Sequence, residues 1–133
     1  MLLFVYGIAR KGGCFDWRLS KATYIGITQT EEPMYLVAQK NYNWPYVSRQ
    51  QILEDTIPTH ITGELYDVSA DIITELDNLE YNYKRTTIRT TCNKEAYMYI
   101  LGDKVKISRI GKSGRFIEIR NGDWILSQLQ RHL

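Results

Sequence analysis

Between residues 69 and 80 one acidic side chain takes a position that acidic side chains usually avoid. Ile72, Ile73, Leu76 and Leu79 recur at helical spacing, and on a wheel of about 100° per residue they form one apolar arc. Glu80 falls inside that arc, between Leu76 and Ile73. Asp77 and Asn78 fall outside it, and Glu75 lies about 40° to the solvent side of Leu79. One carboxylate alone is therefore expected to face the core. Held against apolar surface, it loses the hydration that stabilises its charge. Its pKa should rise toward the range where one group can both take and give a proton. The plainer alternative is a helix-ending glutamate that pairs with Lys84 or Arg85 for stability.

A second feature with chemical potential is the turn Tyr6-Gly7-Ile8-Ala9-Arg10-Lys11-Gly12-Gly13. It leaves an apolar segment, and its three glycines permit positive φ and close backbone approach. Successive backbone N–H groups in such a turn can hold an anion, including a carboxylate. It lacks the G-x-G-x-x-G and Gly-Lys-Ser/Thr patterns, so neither a dinucleotide site nor a P-loop is indicated.

The elements that must position these two features are mostly strands. Punctuation and alternation predict strands at Leu2–Tyr6, Ala22–Thr28, Met34–Gln39, Ile61–Val68, Thr86–Thr91, Glu95–Ile100, Val105–Ile110 and Phe116–Ile119. A helix is expected over Ala70–Glu80, with Ser69 as N-cap and Asp71 in the first turn. A second, terminal helix is expected after Asn121-Gly122-Asp123, its apolar face formed by Ile125, Leu126, Leu129 and Leu133. Many strands and two helices imply an α+β domain, a small mixed sheet curled toward a barrel with helices on its flank.

Bulk properties remove other classes. The 133 residues, 44% hydrophobic and 24% charged, suit one domain spanning 1–133 with its own core. The net charge of +2 is spread among interspersed Lys and Arg, which does not make a nucleic-acid footprint. Residues 1–5 are too short an apolar run for a signal segment or a membrane span. Cys14 and Cys92 form no Cys-x-x-Cys pair, and His60 and His132 are the only histidines. No zinc site or disulfide framework is indicated, and a reducing, cytoplasmic location is the simplest fit. His60 reads as a polar residue at a strand entry. Ten tyrosines and three tryptophans suit the margins of a cleft, being apolar bodies with polar tips.

Taken in order, Phe4-Val5-Tyr6-Gly7-Ile8-Ala9-Arg10-Lys11-Gly12, Ile61-Thr62-Gly63-Glu64-Leu65-Tyr66-Asp67-Val68, Leu76-Asp77-Asn78-Leu79-Glu80 with Tyr83-Lys84-Arg85, Glu95-Ala96-Tyr97-Met98-Tyr99 and Gly122-Asp123-Trp124 resemble the γ-glutamylcyclotransferase-like family over nearly the whole chain. The resemblance implies that family's small barrel-like α+β domain, with turn and glutamate facing each other across a pocket. It implies Glu80 as the acid/base and the Tyr6-Gly7-Ile8-Ala9-Arg10 segment as the holder of a small-molecule γ-glutamyl substrate, largely through backbone groups. The implied reaction is intramolecular attack of the γ-glutamyl α-amine on its own γ-carbonyl. It yields 5-oxoproline and a released amine or amino acid, and needs no metal or organic cofactor. Tyr83 and Tyr99 are candidate pocket residues. Arg85 is read as a structural pairing, and Glu64 as structural rather than a second acid.

The chain departs from the family's pattern at two places. Ile8 and Ala9 stand where Thr or Ser followed by Leu is usual, and Tyr81 stands where glycine commonly follows the glutamate. These departures leave a second class open: a γ-glutamyl-like ligand-binding or regulatory protein that keeps the fold without turnover.

Overall fold

The computed structural model describes residues 1–7, 19–39, 45–79, 82–102 and 113–124. Among these, the strands are β1 (Leu2–Val5), β2 (Thr23–Gln29), β3 (Tyr35–Gln39), β4 (Pro45–Ser48), β5 (Thr62–Asp67), β6 (Tyr83–Arg89), β7 (Glu95–Leu101) and β8 (Phe116–Glu118), with one helix, α1 (Ala70–Leu79), between β5 and β6. The expected strand at Val105–Ile110 and the terminal helix beyond Asp123 lie outside the described residues, as do Ile8, Ala9, Arg10, Cys14, Glu80, Tyr81 and His132. No helix among the described residues is long and apolar enough to cross a membrane.

Five strands form a mixed sheet in the order β2-β5-β1-β7-β6, and three form a second sheet in the order β4-β3-β8. β1 lies at the centre of the larger sheet, antiparallel to β5 and parallel to β7. Its sequence Leu2-Leu3-Phe4-Val5 is apolar throughout because both of its faces are covered. Phe4, with Leu65, Met98 and Ile100 of the neighbouring strands, packs against Met34, Leu36 and Val47 on the side of the smaller sheet. Leu3 and Val5 face the other way, onto Ile73 and Leu76 of α1, together with Tyr66 and Tyr99. The result is three layers: helix, five-stranded sheet, three-stranded sheet.

The helix forms where its caps predict. Ser69 Oγ accepts from the Ile72 N–H at 3.4 Å, Asp71 occupies the first turn, and Ile73 and Leu76 are the buried positions. The α+β class expected from the sequence is observed. The barrel is not: the described strands make an open sheet with β2 and β6 at its edges. Those edges touch at one place, a bridge between Thr30 and Thr90 just beyond them. There the Glu31 N–H donates to Arg89 O and the Thr91 N–H to Gln29 O, each at 2.9 Å. A bulge between Tyr24 and Gly26 bends β2, which shortens the stretch of flat edge open to pairing.

Candidate active site

The Tyr6-Gly7 turn leaves the sheet at the end of β1. Tyr6 is buried, and its hydroxyl donates to Tyr99 O in β7 at 2.8 Å, tying the start of the turn to the neighbouring strand. Gly7 meets Pro45, the first residue of β4: a Cβ on Gly7 would stand 2.8 Å from Pro45 Cγ. That is closer than real Cβ atoms come, so this position requires glycine. Pro45 O in turn accepts the Tyr83 hydroxyl at 2.7 Å. The Tyr83 ring stacks on Tyr46, with centroids 5.0 Å apart and planes 22° from parallel, and Phe116 tilts against Tyr46 at 6.0 Å. Pro45 therefore joins the start of the turn, at Gly7, to the strand that begins three residues after Glu80.

The other approach to Glu80 is fixed by α1 and by Asn82. Asn82 O accepts from the Gly102 N–H at 2.8 Å, and a Cβ at Gly102 would stand 3.0 Å from that oxygen. The connection from α1 into β6 is thereby held at its β6 end. At its helix end Asp77 does the holding. Tyr99 Oη donates to Asp77 Oδ1 at 2.6 Å, with Ile73 O as a second acceptor at 3.3 Å. Arg85 Nη1 lies 3.5 Å from Asp77 Oδ2, and the Arg85 guanidinium sits 4.7 Å from the centroid of the Tyr97 ring. The expected structural pairing of Arg85 is thus observed, with Asp77 as partner.

Of the sequence-predicted site residues, Tyr6, Gly7, Tyr83 and Tyr99 are described, and shared contacts connect them all. The three tyrosine hydroxyls each donate to a protein acceptor, which fixes the position of their rings. Ile8, Ala9, Arg10 and Glu80 lie outside the described residues. Glu64 is buried in β5 and accepts the Tyr66 hydroxyl at 3.1 Å. Sequence reasoning missed Pro45, Tyr46 and Asp77. The signal for Pro45 was a proline ahead of a β-branched and aromatic pair, since proline is tolerated at the first position of a strand.

Two other groups lie apart from this constellation. His60 Nδ1 is 2.8 Å from Thr30 O, which makes it the donor and fits the strand-entry reading. Cys92, in the β6–β7 hairpin, has its thiol pKa lowered, first by a hydrogen bond from Thr90 and then by one from Thr28. Among the described residues no group of three His, Cys, Asp or Glu side chains stands close enough to hold a metal ion.

The chain belongs to the family of γ-glutamyl cyclotransferase, AIG2-like proteins, whose family model matches residues 3–126. Among solved structures, an uncharacterised protein of Pyrococcus horikoshii is similar at 22% identity and a TM-score of 0.72, covering 99% of this chain and 96% of that one. An AIG2-like protein of Mus musculus is similar at 22% identity and a TM-score of 0.64, covering 78% of each chain. Part of the Kluyveromyces lactis allophanate hydrolase is also similar, at 18% identity and a TM-score of 0.72, over 97% of this chain and 21% of that one. At these identities the likeness concerns the fold. No curated protein sequence matches the chain.

Proposed function

We propose that this protein is a γ-glutamyl cyclotransferase that converts a γ-glutamyl amine or γ-glutamyl amino acid into 5-oxoproline and the free amine. The observation that carries the reading is the Pro45 junction. There Gly7 packs on Pro45, whose carbonyl accepts the hydroxyl of Tyr83, three residues after Glu80 in the sequence. Family membership supports the same chemistry.

In this mechanism the substrate α-ammonium first gives a proton to Glu80. The free amine nitrogen then attacks the γ-carbonyl carbon and closes a five-membered ring. The carbonyl oxygen takes up negative charge, which backbone N–H groups of the segment Gly7 to Arg10 offset. The ring nitrogen still carries two protons; Glu80, its first proton released to solvent, takes one of them and delivers it to the leaving nitrogen as the C–N bond breaks. Because nucleophile and electrophile belong to one molecule, holding the substrate folded supplies much of the acceleration. Tyr83 and Tyr99 contribute to the pocket by position, and the protein works on a small molecule in the cytoplasm.

A second reading, ligand binding without turnover, is favoured by Ile8 and Tyr81, the two departures from the family's pattern. One experiment separates them. Purified protein is offered γ-glutamyl dipeptides, γ-glutamyl-lysine and glutathione, and 5-oxoproline is measured. Release from at least one is expected, with Glu80→Gln slower by roughly 10²- to 10⁴-fold. Equal rates in the variant would remove Glu80 from the chemistry. No release from any substrate, with binding still detectable by calorimetry, would establish the second reading.

A further inference from the structure

We infer that Asp77 is the positioning residue for Glu80, and that Tyr99 and Arg85 are the clamp through which it acts. The inference rests on the reading of Glu80 as acid/base and extends it. On the helical wheel Asp77 lies just past Ile73, at the border of the apolar arc. In the structure it is drawn to the sheet. Its two carboxylate oxygens take different partners, Tyr99 Oη at 2.6 Å and Arg85 Nη1 at 3.5 Å. The first is a short bond to an ionised acceptor, the stronger kind. It comes from a ring that is itself buried between α1 and the sheet.

The clamp has three further properties that suit positioning. Tyr99 is braced at its own backbone, where Tyr6 donates to Tyr99 O, so one β7 residue touches both the start of the substrate-binding turn and the last turn of the helix. Arg85 is braced by the Tyr97 ring. Asp77 also lies in the last turn of α1 and precedes Glu80 by three residues in the sequence, so the clamp holds the helix end from which the chain runs on to Glu80. A pair 35% and 38% exposed, like Arg85 and Asp77, adds little to global stability. Its use lies in fixing an angle, and catalysis depends steeply on such angles.

The test compares wild type, Asp77→Asn, Tyr99→Phe and the double variant, using γ-glutamyl-lysine or whichever member of the panel is turned over fastest. Asp77→Asn is expected to lower kcat by roughly 10- to 100-fold while KM stays within about twofold, the pattern of an interaction lost only in the transition state. Tyr99→Phe should do the same, and the double variant should be no slower than the worse single one, because both break one link. Glu95→Gln, which removes an exposed pairing with Arg89 in the same hairpin, should leave kcat unchanged. Amide hydrogen exchange provides a reading independent of turnover: Asp77→Asn should speed exchange at residues 79–82 and spare β7. Turnover abolished in Glu80→Gln but unchanged in Asp77→Asn sinks the clamp and leaves the function standing. Full turnover in Glu80→Gln, or none in the wild type, sinks both.

Discussion

Gly7 and Pro45 pack so tightly that a methyl group on the glycine would stand 2.8 Å from Pro45 Cγ. The proline ring cannot swing aside as a flexible side-chain tip would, and its own carbonyl is engaged by Tyr83. Gly7→Ala is therefore expected to destabilise the fold by about 1–3 kcal/mol and to move the turn away from Tyr83. Thermal unfolding and 5-oxoproline release should both register the change. Wild-type behaviour in both would mean that the junction has slack.

Tyr83 offers a finer dissection of the same junction. Tyr83→Phe keeps the ring on Tyr46 but removes the donor to Pro45 O, a part-buried bond worth roughly 0.5–1.5 kcal/mol. Tyr83→Ala removes ring and donor together and should cost more. Urea unfolding of the two variants measures the split. A phenylalanine variant as damaged as the alanine one would assign the whole effect to the hydroxyl.

Cys92 provides a prediction about pH. Hydrogen bonds from Thr90 and then Thr28 stabilise its thiolate, so the thiolate fraction at neutral pH exceeds that of an ordinary cysteine. Alkylation by iodoacetamide, followed at the Cys92 peptide by mass spectrometry, should accordingly reach half its plateau rate below the usual thiol range. Thr28→Val removes the second donor and should move that midpoint upward, slowing the reaction at neutral pH and leaving it unchanged in strong alkali. An unmoved midpoint would show that Thr28 does not reach the sulfur.

Much of this arrangement was legible in the sequence where one physical signal dominated. β1 and most of β7 carry apolar runs because they are covered on both faces, and α1 carries its cap and stripe. β4 was not read as a strand, because a four-residue segment opening with proline after Asn41-Tyr42-Asn43-Trp44 looks like a loop. β6 begins at Tyr83 rather than Thr86, since Lys84 and Arg85 lie on an edge strand where charge is tolerated and masks the pattern. Asp77 was assigned to solvent because a wheel treats the helix alone. The β6–β7 hairpin runs past the border of the apolar arc and meets the aspartate there, a contact that no local periodicity encodes.

The bond from the Gly102 N–H to Asn82 O bears on how this protein can diverge. Residues 80–82 join a helix to a strand, and the strand's register is set immediately afterwards by Tyr83 opposite Leu101. Substitutions in the connection leave that pairing intact. A one-residue slip of that pairing would reverse the faces of β6, replacing Tyr83 on Tyr46 with the charged tip of Lys84. Change in this part of the site is thus compatible with the fold where it preserves the register of Tyr83 opposite Leu101.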